Sequence, residues 1–305
     1  MCSLISNYPL AKLTRFGTGG NALLYAEPTS TSQLHSIITY AHEKNLICCI
    51  IGGGTNILVN DNGVNGLVIK LSGAFKTISF DDARKTVVAG AGVPLIKLGL
   101  AIARRGFEGY AYMGVIPGSV GGAVRMNAGI GDGQEIGNHF ASAMLFDIKK
   151  CTIGEVDASA LAFRYRTSML AHMSAIVLHA TFQLPELHGR HKERALRAIQ
   201  ELLVQRSKRH PKNPRTFGST FKNPCTGRSA GWYLEQVGMK GMRIGGAMVP
   251  YEHANWIVNT GNATTYDARQ LIEIARQRVY ETFGIQLERE VVYVPEDLKG
   301  INGEQ

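Results

Sequence analysis

The 305-residue chain is short of cysteine, of charge and of long apolar runs, and each shortage excludes a class of protein. Its five cysteines (Cys2, Cys48, Cys49, Cys151, Cys225) are odd in number and form no C-x-x-C pair, which excludes a disulfide framework and cysteine zinc sites. The nine histidines form no H-E-x-x-H, and His188 and His191, in a basic stretch, read as solvated surface. No metal is expected. Charged residues make up only 19% and apolar residues 45%, so the chain can build real cores and is neither disordered nor fibrous. No stretch reaches the roughly 18 apolar residues of a membrane span, and the first residues lack the pattern of a signal peptide. The expectation is a soluble, cytoplasmic protein with no membrane partner.

The 33 Lys/Arg against 24 Asp/Glu leave a net charge of +9, and the excess is local. Nine Lys/Arg against two Glu lie between Arg190 and Arg215, which is +7 of the +9. Leu196, Ile199, Leu202 and Leu203 recur there at helical spacing, and no aromatic residues interleave for base stacking. The segment reads as an amphipathic linker helix with a solvated basic face, and no nucleic-acid partner is expected.

Glycine is the residue in excess. The 35 glycines are about 11% of the chain against a usual level of roughly 7%. Such excess goes with tight turns or with backbone pressed against a ligand. Around the glycines the first third alternates helix and strand signals. Ser30 resembles a cap for a helix carrying Leu34, Ile37, Ile38 and Ala41, and Leu46–Ile51 reads as a buried strand. Further strands are predicted at 66–71, 75–80 and 86–89, and a helix with Leu95, Leu98 and Ile102 follows Pro94. Near the other end, a helix from Tyr266 to Phe283 stops at Gly284, and a strand is predicted from Ile285 to Val294. The domain expectation is residues 1–187, a basic linker helix over 188–210, and a smaller α+β unit over 211–305.

Two glycine segments are candidate ligand cradles. Gly52, Gly53, Gly54, Thr55 and Asn56 follow a strand, where successive N–H groups can converge on an anion. The segment is neither a Rossmann fingerprint nor a Walker A loop, and by itself it reads equally well as a structural turn. The second runs from Gly114 to Gly129 and includes Gly118, Ser119, Gly121 and Gly122. It makes a poor helix and a poor strand, so a long irregular loop is predicted there. Two such loops in one domain favour a large, phosphate-bearing cofactor.

Several stretches stand in a telling order: Thr14-Arg-Phe-Gly-Thr-Gly-Gly-Asn, Gly-Gly-Gly-Thr-Asn, Ile-Pro-Gly-Ser-Val-Gly-Gly-Ala, Phe163-Arg-Tyr-Arg-Thr-Ser, Gly218-Ser-Thr-Phe-Lys-Asn-Pro, Lys240-Gly-Met-Arg-Ile-Gly-Gly, His253-Ala-Asn-Trp and Leu287-Glu-Arg-Glu-Val. Together, from about Leu10 to Val294, they resemble the UDP-N-acetylenolpyruvoylglucosamine reductases. The resemblance implies an α+β protein with an FAD-binding domain of the PCMH/vanillyl-alcohol-oxidase type, followed by a smaller α+β substrate domain. It implies non-covalent FAD, NADPH as hydride donor, and a UDP-sugar enolpyruvyl ether that is reduced to UDP-N-acetylmuramate for peptidoglycan. The short segment between Arg166 and Ser219 resembles the subtype without the substrate-covering loop. A monomer is expected.

The family's chemistry assigns roles residue by residue. Hydride addition to an enolpyruvyl β-carbon leaves an enolate that needs charge stabilisation on its carboxylate and a proton at the α-carbon. Arg166 matches the family arginine suited to that carboxylate, since its fork is fixed and always charged. Glu290 matches the last acid of the family's C-terminal motif and would have to be protonated, hence raised in pKa by burial. Ser219 matches the serine that delivers the proton. Lys222 and Asn223, just after it, suit the substrate's phosphates or sugar. Read without the family, the serine is a turn residue, the arginine faces solvent and the glutamates line a wet strand edge. Glu288, two residues away, would share the strand face of Glu290 and stays an alternative to it. Pro250 and Trp256 depart from the family pattern. Two further readings remain: another flavoprotein of the same cofactor fold, and a nucleic-acid-binding protein built on the basic helix.

Overall fold

A computed structural model describes residues 2–185, 191–225 and 227–301. Within the first unit, β1 (Leu4–Pro9), β2 (Asn21–Ala26) and β3 (Ile47–Ile50) join β5 (Val64–Ile69) in a sheet ordered β1-β2-β5-β3, from which β4 (Ile57–Val59) stands apart. β5 runs parallel to both of its neighbours, as buried apolar strands do when a helix covers the sheet. That helix is α1 (Thr31–Glu43): Ser30 accepts from the Gln33 amide at its start, and Leu34, Ile37, Ile38 and Ala41 are its buried face.

The second sheet is antiparallel. It is built from β6 (Ile78–Asp81), β7 (Thr86–Gly90), β10 (Phe140–Asp147), β11 (Thr152–Asp157) and β12 (Ala175–Gln183), in the order β11-β10-β12-β7-β6. A short hairpin of β8 (Gly129–Gly131) and β9 (Gln134–Glu135) lies between β7 and β10 in the chain. The strand predicted over 75–80 is shorter than expected, because Gly73–Lys76 is a 3-10 turn that buries Phe75. Helix α2 (Leu95–Arg104) packs Leu95, Leu98 and Ile102 inward.

The segment from Gly114 to Gly129 corrects a second expectation. It is not an irregular loop, because Val120–Met126 forms α3 and Ser119 accepts from the Gly122 amide at its N-terminus. Glycine is required there by contact. A Cβ on Gly121 would lie 2.9 Å from Ala91 Cβ, so the missing side chain lets the helix lie against the end of β7. Helix propensity loses to close packing.

After the one-turn α4 (Ala158–Leu161) comes α5 (Lys192–Arg209), the basic helix. It buries Ala195 and Ile199 against Ala103 and Val115, with Leu196 and Leu202 at the margin. Leu203, expected on that face, is exposed instead. His188 and the expected 187/188 boundary lie outside the described residues, whereas His191 is exposed.

The second unit carries a sheet ordered β13-β16-β15-β14, from β13 (Thr216–Ser219), β14 (Arg243–Ile244), β15 (Ala247–Met248) and β16 (Trp256–Asn259). The short α6 (Ala230–Gln236) and the long α7 (Thr265–Phe283) complete its core. Thr264 and Asp267 form a reciprocal capping box at the start of α7, and Gly284 ends it at φ +68°. The strand predicted over Ile285–Val294 is only β17 (Val292–Val294), which returns to pair in parallel with β4. The residues before it hold one isolated bridge, Arg289 opposite Phe221, so the chain there is an extended strap between the two units.

The units share their cores at the seam. Phe16 and Leu58, from the first part of the chain, lie in the second core, and Val294 and Leu298, from its end, lie in the first.

Candidate active site at the seam

Both glycine segments meet face to face. A Cβ on Gly53 would stand 2.7 Å from Gly118 Cα, and one on Gly52 would stand 2.2 Å from Ser119 Oγ. Thr55 donates to the Pro117 carbonyl at 3.2 Å, tying one segment to the other. The sequence order hides this contact because about sixty residues separate the two.

Two cavities of about 480 and 370 Å³ open on this junction, with walls in common at Gly52, Gly53, Gly118, Ser119, Gly122 and Leu298. Gly54, Thr55 and Asn56 line the second cavity, and Gly121 lines the first. All nine residues expected to hold the cofactor thus border a cleft made of these two adjoining cavities. Its walls at the glycines are bare backbone, and its size is that of a ligand-sized pocket, roughly 300–1,000 Å³. A long, flat dinucleotide fits such a slot.

Arg166, Ser219 and Glu290 come to the second cavity from three different parts of the chain. Arg166 sits in the turn 164–167, closed by reciprocal backbone bonds between Arg164 and Thr167. Asn127, fully buried at the end of α3, donates to the Arg164 carbonyl at 2.9 Å and so anchors that turn to the cofactor segment. The turn forces Arg166 into the left-handed region at φ +56°, which is uncommon for a non-glycine residue.

Ser219 closes β13 opposite Trp256. The ladder slips between Thr216 and Ser219, with Gly218 at φ +84°, a bulge that re-aims the strand end. Beyond it, the buried Asn255 pairs both ways with the Phe221 backbone, accepting at 3.0 Å and donating at 2.8 Å. The Ser219 hydroxyl has no hydrogen-bond partner among the described residues.

Glu290 lies on the strap. Its amide donates to the Thr220 carbonyl at 2.9 Å, and its carbonyl accepts from Asn56 Nδ2 at 3.1 Å. Its carboxylate stands 3.3 Å from Arg166 Nε, with both side chains under one-fifth exposed (17% and 15%). Burial pushes the Glu290 carboxyl up to about 7, against the pull of Arg166 and Lys222. Glu288 is different: it is 72% exposed and paired with Lys222. Because this stretch is a strap rather than a regular strand, the two glutamates do not share an environment.

Lys222 and Asn223 do not line the cleft. The first is taken up by Glu288, and the Asn223 side-chain oxygen accepts from the Ala230 amide at the start of α6. Among the cleft residues to which the sequence reading gave no role are Arg15, Arg206 and His210, and Trp256, noted there only as a departure from the family pattern, lines the cleft as well. Arg15 stands inside the motif starting at Thr14, and that was its only signal. Arg206 and His210 belong to the end of the basic helix, so its charge is partly turned toward the cleft rather than wholly to solvent. The His210 ring lies 4.6 Å from that of Trp256, and burial together with Arg206 drives its pKa down to about 4.

Comparison with known proteins agrees with the geometry. Residues 22–146 match an FAD binding domain, and residues 210–294 match the C-terminal domain of UDP-N-acetylenolpyruvoylglucosamine reductase. A reductase of that name from Synechococcus sp. (strain JA-3-3Ab) is 39% identical over 285 residues, which is 93% of this chain and 88% of that protein. One from Clostridioides difficile (strain 630) is 35% identical over 289 residues, 95% of this chain and 92% of that protein. The chain belongs to the UDP-N-acetylenolpyruvoylglucosamine reductase family.

The crystal structure of the Thermus caldophilus reductase superposes with a TM-score of 0.79 at 33% identity, covering 97% of this chain and 99% of that one. The protein is therefore an α+β flavoprotein oxidoreductase with FAD as its cofactor. No helix among the described residues is long and apolar enough to cross a membrane.

Proposed function

We propose that the protein reduces UDP-N-acetylenolpyruvoylglucosamine to UDP-N-acetylmuramate with NADPH, as a cytoplasmic monomer in peptidoglycan synthesis. Residues 1–187 would form the FAD-binding unit, 188–210 the linker, and 211–305 the substrate unit. The names of the relatives support the substrate. One observation carries the catalytic assignment: Arg166 and a Glu290 of raised pKa are paired in the cleft that Ser219 also lines.

Residues 52–56 and 118–122 would hold FAD, which when bound would supply hydride transfer from NADPH to the enolpyruvyl β-carbon. The protein's own groups then manage the charge this leaves. The guanidinium of Arg166 binds the substrate carboxylate and offsets the enolate. Glu290, in its protonated form, donates a hydrogen bond to the same carboxylate, where an ionised acid would repel it. Ser219 gives its hydroxyl proton to the α-carbon, and the nearby Arg166 limits the cost of the alkoxide left behind. Arg15 and Arg206 add positive charge suited to the ligand's diphosphate, whereas His210 stays neutral and adds none. Lys222, beside the cleft, pulls Glu290 toward its ionised form, and burial outweighs that pull.

The test is the visible spectrum of the anaerobic protein. Flavin bands that bleach with NADPH and return on adding the enolpyruvyl UDP-sugar are expected. Bleaching without return would sink the substrate assignment while keeping the flavoprotein.

A further inference from the structure

The carboxyl of Glu290 is useful only where it meets Arg166, yet its own backbone is held by just two hydrogen bonds and no regular ladder. The neighbouring residue supplies what is missing. Arg289 points away from the cleft and forks onto Asp297, with Nη1 and Nη2 donating to its two oxygens at 2.5 and 3.1 Å. The same Nη1 donates to the Val291 carbonyl at 2.9 Å, so the guanidinium bridges across residue 290. Asp297 in turn accepts from the Tyr293 amide at 2.7 Å.

The guanidinium also lies over the Tyr293 ring, 3.5 Å from its centroid, and Arg269 lies over the same ring at 4.1 Å. Arg269 pairs with Glu296 at 2.7 Å, and Glu296 accepts from Asn60 of the first unit at 2.9 Å. The strap is thereby closed into a loop and fastened beside β4. Leu298, next to Asp297, is a wall of the cofactor cleft.

We propose that Arg289, clamped by Asp297, is a positioning residue that holds Glu290 against Arg166 for the sugar-reducing half of the reaction. Arg289 is not among the residues that line either cavity, so it acts only through the strap. The inference rests on the substrate and the role of Glu290 proposed above. It predicts a split that general destabilisation would not produce. NADPH needs no acid at Glu290, and reduction of the flavin by NADPH therefore keeps its rate when the clamp is cut. Return of the flavin bands with the sugar depends on Glu290, and a displacement of about 1 Å in such a group can cost roughly 10²-fold.

The experiment uses the full-length, FAD-loaded protein and its variants Arg289→Met and Asp297→Asn. Flavin content, the rate of bleaching by NADPH and the rate of return with the enolpyruvyl UDP-sugar are measured in each by anaerobic stopped flow. Both variants are expected to bleach at the wild-type rate and to recover at least about tenfold more slowly, toward the 10²-fold limit. The double variant is expected to be no slower than the worse single, since both cut one device. If Arg289→Met loses its flavin, Asp297→Asn carries the test, because its remaining oxygen can still accept from the Tyr293 amide. Wild-type recovery in Asp297→Asn, or equal slowing of both half-reactions, would overturn the inference. If wild-type protein itself fails to recover with the sugar, the substrate reading falls and this inference falls with it.

Discussion

Glu290 shows how one side chain acquires its chemistry from its surroundings. The residue type offers an acid that is ionised at neutral pH. Burial on the strap raises its pKa to about 7, even with Arg166 at 3.3 Å. Two consequences follow from the sign of that shift. In the proposed mechanism the protonated form is the active one, so sugar-dependent flavin recovery should decline as pH rises through about 7. In Glu290→Gln, whose amide is a permanent donor, that decline should vanish. Stopped-flow rates from pH 5.5 to 8.5 check this, and an unchanged decline in the variant would assign the titration elsewhere. Stability moves the same way. A carboxyl with a folded pKa above its ordinary value contributes stability at low pH that is lost as pH rises toward 7. Relative to Glu290→Gln, the wild type should therefore lose thermal stability between about pH 4.5 and pH 7. Ser219 gives a simpler test. Ser219→Ala should bleach normally with NADPH and slow recovery by about 10²–10⁴, the usual scale of general acid catalysis.

Elements matter here chiefly through their ends. Asn127 ends α3 in the left-handed region and from there holds the turn that presents Arg166. The bulge at Gly218 ends β13 and aims Ser219, and the last turn of α5 brings Arg206 toward the same cavity. The glycine turn after β3 is the tightest of these joints. Gly54 stands at φ +65°, and a Cβ there would lie 1.8 Å from the Leu13 carbonyl oxygen. Gly54→Ala should therefore displace the turn and strip the cofactor. The expected result is purified protein with little flavin absorbance per chain. Full flavin occupancy in that variant would show that the turn does not form the cofactor wall.

At the scale of the whole molecule the cleft is made by a return of the chain. β17 comes back to pair with β4, and Asn56 holds the strap by accepting from the Val292 amide at 3.0 Å as well as by donating to Glu290. Val294 and Leu298 then enter the first core. A ligand seated in this cleft would lie between residues as far apart in the chain as Arg15 and Leu298 and should stabilise the fold as one body. Added FAD should raise the melting temperature in a concentration-dependent way, worth about 2.7 kcal/mol at one hundred times the dissociation constant. Scanning calorimetry across FAD concentrations checks this, and a melting temperature indifferent to FAD would show that the folded protein does not take up the cofactor.

The sequence by itself determined most of the elements and the family. Apolar residues at helical spacing located α1, α2 and α7, because a helix that must bury one face repeats its pattern every 3.6 residues. The ordered motifs pointed to the flavin family and to Arg166, Ser219 and Glu290, because each motif is local and legible in a few neighbouring residues. Tertiary structure alone decided three things. It folded Val120–Met126 into a helix, since the contact that needs Gly121 comes from Ala91, far back in the chain. It separated Glu290 from Glu288, since neither periodicity nor composition records that the strap is irregular. It also turned Arg206, His210 and Trp256 toward one cavity, because which face of a helix or strand meets a cleft depends on partners distant in sequence.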